Sequence, residues 1–286
     1  MGIDNTAARL ILLLRSTAEV DLQDALMLGH QRNYIGSRLA RQVASEIKLP
    51  RKIFSAKYAD EFLHGIGAKG FQVLDLSDYE GAQVIHDLNM PIPDALREKF
   101  SVIMDIGTSE HVYNAVQSIS NIREMCKVGG HVLMLSPANN YLGHGFYQFS
   151  PELFFRSFDK EYGFEISSLY LIKMGLFGQA WYELADPRNM KRRGNILTRK
   201  RCYIGVIARK VSNEGEMESP QQSDYVSAWD DRPVSKLGAV YLGMPPVIRR
   251  ILEWTVIAVY TRLRNRLTPQ RFDWREGSYM PRKSGS

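Results

Sequence analysis

The stretch Phe100-Ser-Val-Ile-Met-Asp-Ile-Gly-Thr-Ser-Glu-His-Val-Tyr-Asn114 decides the fold class, together with Lys127-Val-Gly-Gly-His-Val-Leu-Met-Leu-Ser-Pro137 that follows it. Phe100 to Asp105 is an apolar run of strand length ending at Asp105-Ile-Gly107. Val112 to Lys127 repeats apolar residues at helical spacing (Val112, Val116, Ile119, Ile122, Met125), and Gly129-Gly130 reads as the stop of that helix. His131 to Leu135 is the next apolar strand, closed by Ser136-Pro137. Strand, helix and strand in this order imply a parallel βαβ unit.

The flanking sequence extends the alternation in both directions. Thr6 to Ser16 reads as a helix capped at Asn5 or Thr6. Strands are predicted over Asp24 to Gly29, Phe71 to Asp75 and Gln83 to Asp87, with a helix from about Ser37 to Ile47 between the first two. Phe164 to Ile172 and Cys202 to Ala208 read as two further strands. The expectation is one α/β sheet with helices on both faces. Ligands of such sheets bind outside the carboxyl ends of the strands, where the strand order reverses. The segments to watch are therefore Gly29-His30-Gln31, Asp75, Asp87-Leu88-Asn89, Asp105 to His111 and Pro137 to Ser150.

Composition sets outer bounds. The chain has 286 residues, 44% of them hydrophobic and 24% charged, which excludes a disordered or collagen-like polymer. Its two cysteines, Cys126 and Cys202, are too few for a disulfide framework or a Cys-rich zinc site, and a reducing, cytoplasmic setting is expected. No apolar run reaches the ~18 residues of a membrane span. The run Leu10 to Leu14 lies between Arg9 and Arg15 without a cleavage pattern, so it reads as a buried helix and not a signal peptide.

Asp75 closes its strand where a doubly wound nucleotide-binding sheet uses a carboxylate to accept from ribose hydroxyls; a surface turn acid is the plainer alternative. The first turn, Leu26-Met-Leu-Gly-His-Gln-Arg-Asn-Tyr-Ile-Gly36, has no G-x-G-x-x-G. A pyrophosphate needs close backbone approach there, so NAD and FAD are disfavoured. The Phe100–Asn114 strand with its Glu-His pair, and the Lys127-Val-Gly-Gly130 turn leading into the next strand, resemble the second half of a class I S-adenosylmethionine-dependent methyltransferase. The resemblance spans roughly residues 24 to 210 and departs from the family at the glycine-rich first loop.

That resemblance implies a Rossmann-like seven-stranded sheet whose last strand, Cys202 to Ala208, is antiparallel. It implies S-adenosylmethionine as cofactor. Gly29 and His30 would lie at the methionine turn, Asp75 at the ribose, and Asp87, Leu88 and Asn89 beside the adenine. Asp105 and Gly107 would close over the methionine end. Glu110 would be a cofactor contact or a helix cap.

His111 is a candidate base for a substrate hydroxyl, or packs beneath the following helix. His144 is the second candidate, in Asn139-Asn-Tyr-Leu-Gly-His-Gly-Phe-Tyr-Gln-Phe-Ser-Pro151. Asn139, Asn140 and Tyr147 of that loop suit a polar, sugar-like or phenolic acceptor. Ser150-Pro151 reads as the cap and first residue of a helix. No His/Asp/Glu grouping has metal-ligand spacing, and two histidines alone do not make a metal site, so no metal is expected.

The net charge of +6 sits in the tail: from Val240 to Ser286 there are nine basic and three acidic residues, which leaves the body neutral. An acidic partner for the tail follows, whether nucleic acid, anionic membrane or acidic glycan. Arg188 to Arg201 carries seven basic residues and no acid, either as a solvated loop or as a guide for an acidic acceptor. Nucleic acid is disfavoured because no recognised motif accompanies either segment. Pro246 to Leu267 reads as an amphipathic helix that would dock on the body, on a second subunit of a homo-oligomer, or peripherally on an anionic membrane. The expected organisation is a methyltransferase-like domain over 1–210, a polar linker over 211–239 and a basic helical tail over 240–286. The function this implies is O-methylation of a small-molecule or glycan-type acceptor. The alternative is a non-catalytic scaffold docking through its tail.

Overall fold

The structure, a computed structural model, describes residues 2–17, 20–46, 48, 50, 54–175, 178–190, 198–213, 220–223, 226, 271–274 and 281–283. The predicted helix at 246–267 and nearly all of the predicted linker lie outside the described residues. Among the described residues twelve strands occur in chain order: β1 (Gly2–Ile3), β2 (Ala25–Leu28), β3 (Arg32–Asn33), β4 (Gln72–Asp75), β5 (Val84–Ile85), β6 (Phe100–Ile106), β7 (Cys126–Asn139), β8 (Phe164–Gly175), β9 (Gly178–Glu183), β10 (Cys202–Lys210), β11 (Arg271–Trp274) and β12 (Pro281–Lys283). The helices are α1 (Asn5–Arg15), α2 (Ser37–Glu46), α3 (Asp60–Gly65), α4 (Ala115–Met125), α5 (Pro151–Ser157) and α6 (Pro187–Met190).

The main sheet runs β12-β11-β9-β8-β10-β7-β6-β2-β4-β5. Within it, β5, β4, β2, β6 and β7 are mutually parallel, and β10 lies antiparallel between β7 and β8. Chain order leaves β2 outward to β4 and β5, then returns to β6 and β7. The reversal therefore falls between β2 and β6, the position where ligands of such sheets bind. This order, with its antiparallel β10, is the Rossmann-like methyltransferase sheet. It is wider than the seven strands expected, because β9, β11 and β12 extend it beyond β8.

Period-two alternation fills the two faces. Met27, Val73, Met104, Leu133 and Leu135 pack with Leu10, Ile11 and Leu14 of α1, Val43 of α2 and Phe62 of α3. Leu26, Leu74, Ile103, Val132 and Met134 point the other way, onto Ile119 and Ile122 of α4 and Phe154 of α5. All seven residues of β6 are buried, which is why its apolar run is the clearest in the sequence. Full burial of such side chains stabilises by roughly 1.5–3 kcal/mol each.

Two local expectations are corrected. The cap of α1 is Asp4, whose carboxylate accepts from the amides of Thr6 and Ala7. Helix α4 ends at Met125 and not at the glycine pair. Its terminal carbonyls are satisfied by Glu98 N–H on Glu124 (2.8 Å), Lys99 N–H on Met125 (3.0 Å) and Lys210 Nζ on Arg123 (3.1 Å), so no glycine cap is needed. Gly129 and Gly130 instead lie inside β7, where the chain loops out: Phe100 faces Cys126, but Val102 faces His131. Gly129 is left-handed (φ 83°), and a Cβ on Gly130 would lie 2.8 Å from the Ser101 carbonyl oxygen. Ser150 does cap α5, accepting from Glu152 N–H, with Pro151 as first residue. Among the described residues no helix is long and apolar enough to cross a membrane.

Candidate active site

The predicted site residues fall at the carboxyl ends of the parallel strands: Gly29 after β2, Asp75 at the end of β4, Asp87 to Asn89 after β5, Asp105 to His111 at the end of β6, and Asn139 onward at the end of β7. Topology thus gathers them along one edge of the sheet. The side chains have different occupations there.

The first turn is closed by its own chain. Gly29 is left-handed (φ 70°), and its N–H donates to the Leu74 carbonyl at 2.8 Å. The Leu28 carbonyl accepts from Gln31 Nε2 (3.0 Å) and Thr108 Oγ1 (2.8 Å). With the Gly29 N–H already bonded, it is not available to a pyrophosphate. His30 stacks on Tyr58 with ring centroids 3.7 Å apart. Its Nδ1 lies 2.5 Å from the Glu80 carbonyl and its Nε2 2.9 Å from Asp60. The imidazole therefore holds this loop to the β4–β5 connection and to α3. Gln31, in the first strand-end segment, is buried, and its Oε1 has no hydrogen-bond partner among the described residues.

Asp75 is half-buried, with Oδ1 accepting from Leu76 N–H. Asp87 Oδ1 accepts from the amide and side chain of Asn89, and these bonds hold its carboxyl below the ordinary range. Asn89 Oδ1 in turn accepts from Asn114 N–H at 2.9 Å. Leu88 is buried against the α4 side of the core, and Asn121 Nδ2 donates to its carbonyl. The 87–89 loop is thus pinned to α4.

Asp105 does not face the cleft. It is fully buried, and its carboxylate accepts from Thr108 N–H (2.8 Å) and, more weakly, from Ser109 N–H. Its job is to fold the turn after β6, where Gly107 supplies a left-handed residue (φ 75°). That turn carries Glu110 and His111 into place. Glu110 is not a helix cap, since Asn114 Oδ1 caps α4.

The loop after β7 closes on this turn. Phe146 N–H (2.7 Å) and Tyr147 N–H (3.3 Å) both donate to the Glu110 carbonyl. Approach this close requires Gly145, which is left-handed (φ 71°) and whose Cβ would sit 2.7 Å from that carbonyl oxygen. The result brings His144 to His111, with ring centroids 5.0 Å apart, and places His144 Nε2 3.7 Å from Glu110 Oε1. Donor atoms of Glu110, His111 and His144 all lie within 4.8 Å of one another. The sequence count of two histidines missed the carboxylate that joins them.

Other loop residues brace this arrangement. Asn139 Nδ2 donates to Thr198 O, and Asn140 Nδ2 to Thr198 O and Lys200 O, so these amides tie β7 to the segment before β10. Tyr147 hydroxyl donates to the Tyr113 carbonyl at 2.5 Å. Tyr113 and Phe146, both exposed, meet edge to face at 5.7 Å and rim the site. Tyr141 and Tyr203 pack at 4.8 Å behind His144. Nothing local in the sequence marks Tyr203 for this place.

Burial pushes the Glu110 carboxyl up to about 8, and the nearby Asp105 carboxylate adds to the rise. Partial burial lowers the His111 imidazole, and His144 adds to that, so His111 is neutral near pH 7 and offers a lone pair. Burial raises the Tyr141 phenol, as does its hydrogen bond with Tyr203, so Tyr141 stays protonated.

The residues fit S-adenosylmethionine in part. Gln31 Oε1 is a buried acceptor lacking a donor, and Asp75 and Asp87 stand at neighbouring strand ends. The chain matches no family model and no curated protein. Among solved structures it is similar to an S-adenosylmethionine-dependent methyltransferase from Mesorhizobium loti, 14% identical with a TM-score of 0.39, over 72% of this chain and 97% of that one. It is equally similar to a branched-chain polyamine synthase mutein from Thermus thermophilus in complex with N4-aminopropylspermidine and 5′-methylthioadenosine. That chain is 13% identical with a TM-score of 0.39, over 76% of this chain and 58% of its own. Scores this low assign neither activity nor substrate; the fold is read from the strand order.

Proposed function

We propose that this protein transfers a methyl group from S-adenosylmethionine to an oxygen of a small-molecule or glycan-type acceptor. The observation that carries the reading is the convergence of Glu110, His111 and His144 beneath the aromatic rim of Tyr113 and Phe146, at the ends of β6 and β7 beside the sheet's switch point. S-adenosylmethionine supplies a methyl group on a positively charged sulfur. Displacement there is governed mainly by positioning, and a modest base suffices. Neutral His111 is able to take the proton of an acceptor hydroxyl, with His144 beside it. Asp75 would accept from ribose hydroxyls, and the pinned Asp87–Asn89 loop would flank the adenine. The exposed rings suit the apolar face of a sugar or a phenol.

A second reading, a non-catalytic scaffold, is favoured by the closed first turn, in which Gly29 N–H, the Leu28 carbonyl and both nitrogens of His30 are occupied within the protein. Calorimetric titration with S-adenosylhomocysteine separates the two. Micromolar binding that weakens in Asp75→Ala supports the transferase. No binding by folded protein sinks it in favour of the scaffold. An acceptor screen with His111→Ala and His144→Ala as controls then tests oxygen as the methylated atom.

A further inference from the structure

We propose that Glu110, His111 and His144 bind one divalent transition-metal ion. Three lone-pair donors from two strand ends point into one space, with ligand atoms within 4.8 Å of one another. Glu110 is 1% exposed, and its Oε2 has no hydrogen-bond partner among the described residues. Its Oε1 lies 3.7 Å from His144 Nε2, too far for a hydrogen bond. A buried carboxyl oxygen without a hydrogen-bond partner is costly, and a cation placed there would serve it.

The mounting is asymmetric in a way that suits a metal. Glu110 is fixed by the turn that Asp105 folds and by the amides of Phe146 and Tyr147 on its carbonyl. His111 is exposed and His144 half-exposed, and their rings meet only edge-on at 5.0 Å, which leaves the imidazoles more room to adjust than the buried acid has. Ligand atoms on one ion at about 2.1 Å stand roughly 3–3.5 Å apart. Contraction from the present spacing needs about 1 Å of imidazole movement and none of the buried acid.

Two imidazoles and one carboxylate suit manganese, iron, cobalt, nickel or zinc better than magnesium or calcium. Three protein ligands leave coordination positions open toward the aromatic rim. Those positions would take oxygens of the acceptor, which favours a substrate with two adjacent hydroxyls. Binding of the ion stands by itself. It would take the lone pair that the methyl-transfer reading gives to His111, so with the ion bound the metal, and not His111, would ease proton loss from a coordinated acceptor hydroxyl; that use rests on the methyl-transfer reading above.

The test uses full-length, tag-free protein stripped with chelator and titrated with Co²⁺, followed by calorimetry and by the visible d–d bands that report coordination. One Co²⁺ per chain is expected, with affinity at least tenfold weaker in each of Glu110→Gln, His111→Ala and His144→Ala. His86→Ala, just after β5, where the ring bonds to the Met90 carbonyl at 3.1 Å, should leave it unchanged. His111 is exposed, so its variant keeps the test valid if Glu110→Gln fails to fold. No uptake by folded wild type, or uptake indifferent to all three substitutions, overturns the site. Titration of the same metal-free protein with S-adenosylhomocysteine reads the methyl-transfer hypothesis separately, so either can fail without the other.

Discussion

Gly145 is the residue on which the meeting of the 109–111 turn and the loop after β7 turns, and Gly145→Ala tests that directly. The added Cβ would lie 2.7 Å from the Glu110 carbonyl oxygen and 3.2 Å from its carbonyl carbon and Cγ. The left-handed backbone (φ 71°) penalises alanine by roughly 1–2 kcal/mol. Lifting the loop to relieve the contact stretches the 2.7 Å bond from Phe146 N–H, a loss of about 1 kcal/mol. The sum is roughly 2–3 kcal/mol, a fall in Tm of about 4–12 °C for a domain of this size. Gly143→Ala is the matched control: it is also left-handed (φ 81°), but nothing lies within 4 Å of its Cβ, so it should lose only the backbone strain. Lifting Gly145 off the Glu110 carbonyl moves His144 away from Glu110, whereas Gly143 has no such contact, so only Gly145→Ala should also weaken Co²⁺ binding. Differential scanning calorimetry and the cobalt titration read both effects. Equal Tm values for the two variants, with cobalt affinity intact in Gly145→Ala, would refute the close approach.

Other parts of the molecule make independent predictions. Arg156 is buried against Asp159 (3.0 Å) and Asp186 (2.9 Å), so Arg156→Met should destabilise by roughly 3–5 kcal/mol in chemical denaturation, less whatever Arg188 recovers through its own bonds to both acids. Burial works to raise the Asp186 carboxyl, but hydrogen bonds from Arg188 and the charges of Arg156 and Arg188 hold it below the ordinary range. Its stabilisation is therefore present above pH ~4 and lost as pH falls through the depressed value; Arg156→Met should flatten that acid limb in a Tm-against-pH series. Lys210 Nζ donates to the carbonyls of Arg123 (3.1 Å) and Cys126 (2.9 Å), and Lys210→Met should cost about 1–3 kcal/mol, read from the urea midpoint. Burial pushes the Cys126 thiol up to about 12 and raises that of Cys202, so neither cysteine should react with Ellman's reagent in native protein at pH 8, and both should react in guanidinium.

Much of the architecture was legible in the chain because it depends on local periodicity. The apolar run at Phe100–Asp105 and the Ser150-Pro151 start appear where expected within a residue, and the helix expected from Val112 begins three residues later, at Ala115. Strand ends were legible too, since strand ends in a parallel sheet share one edge. Where reading failed, a non-local partner had replaced a local signal. Gly129-Gly130 resembles a helix stop, but α4 ends on amides from Glu98 and Lys99 and on Lys210, and the glycines serve a bulge against β6. Strand β9 escaped notice although Trp181 is fully buried on it. His30, Asn139 and Asn140, read as ligand contacts, make their visible bonds to the protein itself.

The sequence by itself determined the alternation of strands and helices, the edge on which polar residues collect, and a first turn without a phosphate-binding glycine pattern, because each follows from side-chain order along the chain. Only the tertiary structure decided that Glu110, His111 and His144 form one cluster. Their meeting depends on β6 and β7 being neighbours in the sheet, on Asp105 turning inward to fold the intervening residues, and on a missing Cβ at Gly145 that lets one backbone rest on another. Contacts of that kind are set by packing across 34 residues of chain, and no local pattern encodes them.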